Sequence, residues 1–457
     1  MSNLRIAVTG AGIGGLTFCV ALGKQSNVKF DLYEAAHEFG EVGAGIGFWY
    51  RSWQIMEALG LQDDLAALEK TPKGDAGTHD STHDHLSNTI LKVQAVGFHF
   101  RKSDQPEGRS FYDMHAEGGM LPMHRAHFQK AIIKNLPPTC TTHFGKRLVS
   151  YDDPSSGPIT LHFKDGTTAE CDVLVGADGI KSVVRANMLA NLAKEGKVSE
   201  AEALAPNPFW SGSVAYRGLI PKETLEAKFP GHRALKDDII YCGKDKHLII
   251  FPISRGAHVN VVAFTSEPSK EGTQYSANEK EWVADVPKDE LLQAYAGWEP
   301  EVTALLECVD KPSKWAIHAV KPLSTFVSGR VALLGDSAHA MTPHLGSGAG
   351  QAIEDGYILS ALLASPKCTP SSLPRVLEIY DQVRRPKAKE VYELSRTNGA
   401  IYEFNGAGNE HIEPYDEGVD LEELEKIGRE AEKHWDWAWK KSADEDRENA
   451  LKLLAAI

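Results

Sequence analysis

The stretch "LRIAVTGAGIGGLTFCVALGKQSNVKFDLYE", residues 4–34, decides how this chain begins to fold. "LRIAVTG" is apolar and β-branched and reads as a strand, "GAGIGG" as a glycine turn, "LTFCVALGKQ" as a helix, and "VKFDLYEA" as a second strand that carries Glu34. The unit is therefore βαβ. Gly10, Gly12 and Gly15 fit the spacing G-x-G-x-x-G. The first glycine serves the tight turn, the second lets a pyrophosphate approach bare backbone, and the third lets the helix pack closely on the strand. Glu34, followed by Ala35, stands at the right distance to accept hydrogen bonds from a ribose diol. A dinucleotide is expected here, and the fingerprint alone leaves NAD and FAD open.

Composition narrows the class of partner. The chain has 457 residues, 42% of them hydrophobic and 25% charged, which is long enough for two or three domains at roughly 100–200 residues each. Lys and Arg number 49 against 63 Asp and Glu, a net charge of −14, so nucleic acid and anionic membrane surfaces are poor partners and small molecules better ones. Cys19, Cys140, Cys171, Cys242, Cys308 and Cys368 are scattered, with no C-x-x-C pair. They read as free thiols in a reducing compartment, and a cytoplasmic protein is expected. The glycine-broken N-terminus lacks the basic flank of a signal peptide, and no apolar run reaches the roughly 18 residues of a membrane span.

Two later segments repeat the strand, glycine and helix theme. After Glu34, Gly43, Gly45 and Gly47 precede an amphipathic helix instead of the further βα repeats expected of an NAD domain. "DVLVGADGIKSVVR" runs a strand into Gly176, Asp178 and Gly179, and "VALLGDSAHAMTPHLGSGAGQAIEDGYIL", from Val331, runs a strand into Gly335 and Asp336, then a loop and a helix. Together the three segments resemble the FAD-dependent aromatic hydroxylases, the single-component flavoprotein monooxygenases built on the para-hydroxybenzoate hydroxylase fold. "MHRAHF" and "VAYRGLIP" resemble the salicylate hydroxylase branch and its fungal relatives.

That resemblance implies an α/β fold: a Rossmann-like FAD-binding domain with an inserted antiparallel β-sheet substrate domain and a C-terminal helical region. The expected division gives residues 1–75, 106–204 and 324–385 to the FAD-binding domain. Residues 76–105 and 205–323 go to the substrate domain, because "SGSVAYRGLI", "DDIIYC", "KHLIIFPI" and "AHVNVVAFTS" read as antiparallel strands. Residues 386–457 form the helical region, in which Trp435, Trp437 and Trp439 are expected to pack on the core or on a second subunit. The protein is expected to be a monomer or homodimer.

The resemblance also implies the site. FAD would be held by Gly10, Gly12, Ile13, Gly15, Glu34, Ala35, Gly47, Arg125, Asp178, Asp336, Gly346, Ser347, Gly348 and Ala349. Asp336 would bond the ribityl hydroxyls, and the helix after Gly346 would aim its N-terminal amides at the flavin ring, where reduction places negative charge. Arg125 offers a planar fork to the pyrophosphate. NADH or NADPH and O2 would be co-substrates, the nicotinamide docking transiently because no second dinucleotide fingerprint appears. The substrate would be a phenolic acid, first of all salicylate, hydroxylated to catechol with loss of CO2. Another phenolic acid or aldehyde hydroxylated without decarboxylation, or a reductase or epoxidase reaction on the same fold, stands as the alternative. His344 would exchange a substrate proton and Arg217 would hold its anionic group. "GFWYRSW" brings bulky rings and Arg51 toward the edge of the flavin. His79, His83 and His85 lie in a polar run of Gly, Ser, Thr and Asp whose spacing fits no zinc pattern, so no metal is expected.

Overall fold

Short apolar strands buried on both faces need helices above and below them. Ile6–Thr9 and Val173–Gly176 are buried at every position and run parallel, with Ile6 beside Val173 and Thr9 beside Gly176. They form the centre of a six-stranded sheet whose spatial order is Val327–Ser328, Val331–Leu333, Val173–Gly176, Ile6–Thr9, Phe30–Tyr33 and Cys140–His143. This computed structural model describes residues 4–40, 45–68, 94–117, 120–254, 256–276 and 278–457. The expected βαβ unit is present, with its helix over Ile13–Gln25.

The helix Ile13–Gln25 packs against Gly348–Leu363, the helix that follows the third glycine segment. Glycine permits this approach: a Cβ on Gly356 would stand 2.9 Å from the Phe18 nitrogen, and one on Gly14 would stand 2.7 Å from Leu334 Cδ1. Two glycine segments distant in sequence thus open onto one edge of one sheet.

The second large element is an eight-stranded sheet, in the order Val283–Asp285, Ser313–Ala319, Phe209–Pro221, His258–Ser266, Lys246–Ile253, Ile239–Gly243, Gln94–Lys102 and Arg109–Glu117. Its pairings are antiparallel except between Ile239–Gly243 and Gln94–Lys102, which run parallel. A three-stranded antiparallel sheet, Leu148–Asp152, Ile159–Phe163 and Thr168–Cys171, flanks the first domain. Gly45–Phe48 pairs with Leu121–His124.

Two boundaries differ from expectation. Arg109–Glu117, assigned above to the FAD-binding part, pairs along Gln94–Lys102 in the large sheet. The helix Leu373–Tyr402 is continuous through Pro386, so no boundary falls at 385. The C-terminal region packs into the core, one of the two expected alternatives. Trp435 and Trp439 are buried, their rings 4.5 and 5.6 Å from the ring of Trp49. The helix Leu421–Lys433 lies on Arg109–Glu117 so closely that a Cβ on Gly428 would meet the Tyr112 ring at 2.3 Å. Every described cysteine is a free thiol, and no helix among the described residues is long and apolar enough to cross a membrane.

Candidate functional site

The glycines of the sequence motifs fall into two physical groups. A Cβ on Gly10 would stand 2.2 Å from the Ala177 carbonyl oxygen, and one on Gly15 would stand 2.1 Å from that of Gly10. These two are required by the protein's own packing. A Cβ on Gly12, Gly346 or Gly348 would meet nothing within 4 Å. Gly346 has a φ of +56° that itself favours glycine, but at Gly12 and Gly348 nothing within the described chain requires glycine, which is what a backbone kept bare for a ligand looks like.

Helix ends lead to the same place. Gly12 caps Ile13–Gln25 and offers no side chain, and Ser347 caps Gly348–Leu363 while its hydroxyl turns back to the Leu345 carbonyl at 2.7 Å. Neither first turn carries an acid. Both helices therefore present uncapped amides and positive dipole ends to an incoming anion. Asp336 and Arg125 are exposed and make no ion pair among the described residues. A pyrophosphate over Gly12 and a flavin ring over Gly346–Ala349 fit this set of donors.

Two expected contacts have other partners. Glu34 accepts from the amides of Ala11 at 2.8 Å and Ala36 at 2.7 Å, so its carboxylate braces the glycine turn beside half-buried Ala35. Asp178 accepts from the Ser182 hydroxyl and from the amides of Val183 and Val184, at 2.5, 2.8 and 3.1 Å. The structure thus uses that carboxylate to cap the helix Val183–Lys194, and burial raises its pKa. Gly47 lies on Gly45–Phe48 with Met120 Sδ 2.6 Å from where a Cβ would sit.

Between this surface and the large sheet lies a cavity of about 250 Å³, lined by Gly45–Gly47 and 343–346 on one side and by strands of the sheet on the other. Its walls include Trp49, Phe98, Phe251, Phe264, Trp315 and Trp435. Arg217 and His344 both line it. Arg217 has no hydrogen bond or ion pair among the described residues; its guanidinium lies 5.2 Å from the centre of the Trp315 ring. Burial, reinforced by Arg125, lowers its pKa. Asn260 also lines the cavity, and its Nδ2 is buried without a partner. An unpaired cation and an unsatisfied donor in an apolar chamber favour an anionic, planar, oxygen-bearing ligand.

His344 is 5% exposed, its ring 5.1 Å from that of Phe264, and burial pushes its pKa down to about 3. It is therefore a neutral imidazole. His339 is a structural residue, 2.6 Å from Asp355, whose carboxylate also accepts the Gly335 amide and the Arg384 guanidinium. Arg51 faces away from the cavity: it is buried in an ion network with Glu354 and Asp446, which corrects the expectation that it approaches the flavin edge. Its size and charge go to holding the helix Gly348–Leu363, while its neighbour Trp49 reaches the cavity. His79, His83 and His85 lie outside the described residues, and no group of metal-binding side chains occurs among those described. Sequence reasoning missed Asn260, Trp315, His247 and Glu403, and left Trp435 without a place, because each acquires its role only from a partner far along the chain.

The bare-backbone glycines and two uncapped helix ends define a FAD-binding flavoprotein. The FAD binding domain family matches residues 3–395. Over 99% of this chain and 98% of the relative, the sequence is 35% identical to a FAD-dependent monooxygenase of Strobilurus tenacellus. It is 34% identical to a salicylate hydroxylase of Pseudomonas putida over 99% of this chain and 96% of that enzyme. A solved salicylate hydroxylase substrate complex superposes with a TM-score of 0.80 at 31% identity, covering 98% of each chain. The protein belongs to this family and is a FAD-dependent aromatic monooxygenase of the salicylate hydroxylase group.

Proposed function

We propose that the protein hydroxylates salicylate, or an ortho-substituted phenolic acid of similar size, with NADH or NADPH and O2, and that salicylate leaves as catechol and CO2. The observation that carries this reading is Arg217, an unpaired cation in an otherwise apolar cavity that His344 also lines. A carboxylate or phenolate is the ligand that such a group lacks. The relatives named above include salicylate hydroxylases, which is why salicylate is the first substrate to test.

Gly12 and Gly346–Ala349 would hold FAD, which would supply the redox chemistry by which one atom of O2 reaches the ring. Arg217 would hold the substrate's anionic group, and Asn260 Nδ2 would donate to a second oxygen. Trp49, Trp315 and Trp435 exclude water and fix the plane of the ring. His344, neutral at physiological pH, would take the proton of the phenolic hydroxyl, since a phenolate is far more electron-rich than a phenol. In salicylate the phenolate places electron density on the carbon bearing the carboxylate. Hydroxylation at that carbon breaks the bond to the carboxyl group as the ring regains aromaticity, and CO2 departs. Position within the cavity must select that carbon, and a misplacement of about 1 Å can cost on the order of a hundredfold in rate.

Carboxyl-labelled salicylate tests the proposal: label should be released as CO2 and catechol should accumulate with stoichiometric NAD(P)H and O2 consumption. Retained label with a dihydroxybenzoate product would reject decarboxylation and keep hydroxylation. No substrate-stimulated oxygen uptake across a panel of phenolic acids would reject the reading altogether. We further propose a cytoplasmic protein, monomeric or homodimeric, with the roles given above for Gly10, Gly12, Ile13, Gly15, Glu34, Ala35, Gly47 and Arg125, and with Asp336 reaching the ribityl chain.

A further inference from the structure

A second cavity, of about 320 Å³, lies behind the first. Ser266, Thr342, Tyr392 and Glu403 contribute to it, and it reaches the surface at exposed Arg396 and Thr397. His344 is the one described residue that lines both cavities. From it runs a file of buried titratable groups. His344 Nδ1 lies 3.4 Å from His247 Nε2, and His247 Nδ1 lies 2.9 Å from Glu403 Oε1. The Ser266 hydroxyl donates to the same Glu403 oxygen at 2.8 Å.

The file is held with care. His247 is fully buried, flat against the Phe264 ring at 4.5 Å and 10°. Gly399, in the last turn of the helix Leu373–Tyr402, is where the His344 ring fits: a Cβ there would stand 2.4 Å from His344 Cδ2. A glycine inside a helix costs stability, and in this last turn it makes room for the imidazole. A carboxyl group buried at a helix end beside two buried imidazoles is a costly arrangement if it only fills space.

We propose that His344, His247 and Glu403 form a proton conduit that carries the proton of the substrate's phenolic hydroxyl out of the first cavity to water in the second. The proposal rests on the hydroxylase reading above. The substrate O–H bond breaks and its proton bonds to the His344 nitrogen not turned toward His247. The Nδ1 proton of His344 passes to His247 Nε2, and the Nδ1 proton of His247 passes to Glu403. The products are a phenolate and a protonated carboxyl group; each imidazole is neutral again in its other tautomer, and no redox change occurs. Glu403 then gives the proton to water. His247 and Glu403 do not line the substrate cavity and act through His344.

The electrostatics suit this direction. Burial holds both imidazoles near pKa 3, so neither traps the proton, and raises Glu403 to about 7, where it can take up and release one near neutrality. Among its titratable neighbours Asp245 raises Glu403 and His344 lowers it, while Tyr295 and Cys242 are pushed by burial far above neutrality and stay uncharged. At the rim Arg396 is paired with Glu271.

The test mixes FAD-loaded protein, without NAD(P)H, with 2-hydroxy-5-nitrobenzoate in a stopped-flow instrument. Absorbance follows the bound phenolate and a pH indicator follows the released proton. In the wild type both signals should appear together, with a rate governed by a group ionising near pH 7. Glu403→Gln should bind the probe within about threefold of wild type at high pH, yet slow both signals tenfold or more and abolish that ionisation; Glu403→Asp should restore part of the rate. His247→Gln should slow them likewise, and decides the matter if Glu403→Gln does not fold. Unchanged rates and pH profile in variants with full FAD content would overturn the conduit. A wild type that binds no phenolic probe overturns the hydroxylase reading itself, which is a different result from a defect confined to the variants.

Discussion

Replacing Arg217 by methionine removes a charge and leaves most of the stem that covers Trp315. In the free protein that half-buried guanidinium has no counter-ion among the described residues, so its desolvation is compensated only by the contact with Trp315, a type of interaction that contributes about 0.5–2 kcal/mol. Losing the charge also removes its repulsion with Arg125. The variant should therefore melt no lower than the wild type. Binding should behave in the opposite way. A hydrogen bond to a charged group contributes about 1.5–3 kcal/mol, which converts to a Kd for salicylate weaker by about 10- to 140-fold. A loosely held ring misses the oxygen atom, so a larger share of the reducing equivalents should appear as hydrogen peroxide. Arg217→Lys should recover only part of the affinity, because a point charge replaces a planar fork. Salicylate titration by flavin absorbance, differential scanning calorimetry and peroxide assay read the three quantities. A lower melting temperature with affinity within twofold of wild type and unchanged coupling would make Arg217 a structural residue and refute the argument.

Gly12→Val should fold and lose FAD, since its side chain enters space that no protein atom occupies, whereas Gly15→Ala should lose stability first because its Cβ meets the Gly10 carbonyl oxygen at 2.1 Å; a Gly12→Val protein that keeps a stoichiometric yellow chromophore would contradict this. Glu403 is raised from 4.5 to about 7 on folding, so between those values the native state holds a proton that the unfolded chain has lost. Its stabilising contribution is complete below the unfolded value and is lost as pH rises through about 7. Glu403→Gln cannot lose that proton, and its melting temperature relative to wild type should climb between pH 4.5 and about 7 and level off above; a constant difference across that range would show that Glu403 ionises as an ordinary carboxyl. His247 and His344, held near 3, make the native state gain stability as pH rises toward the ordinary histidine range, in wild type and variant alike.

How much of this was legible in the sequence depends on the distance over which each signal acts. The dinucleotide turn is local: residues 4–34 contain the strand, the glycines, the helix and the acid, and the structure has the parallel pairing that they imply. Four of the eight strands of the large sheet, Phe209–Pro221, Ile239–Gly243, Lys246–Ile253 and His258–Ser266, were visible for the same reason, since each carries its own apolar pattern. What the motif could not separate was which glycine serves the fold and which serves a ligand, because both obey one spacing. Only the surroundings of Gly10 and Gly12 distinguish a carbonyl at 2.2 Å from open space. Asp178 shows the converse, a motif residue whose carboxylate turns to its own helix.

Partnerships across long separations left no trace in sequence. His247 and Glu403 are 156 positions apart, one on a strand of the large sheet and one at the end of the helix that ends at Tyr402. Read locally, each is an ordinary polar residue that solvent would satisfy. Their burial follows from the helix Leu373–Tyr402 continuing past Arg385 and closing against the sheet, which also brings Trp435 over the first cavity. A boundary at residue 385, as expected from the sequence, hides both consequences. One unbroken helix, carrying Arg384 to the ion network under the FAD-facing helix and Gly399 and Glu403 to the back of the substrate chamber, joins the parts that the sequence seemed to divide. A substitution along that helix can thus reach cofactor and substrate together, without touching either.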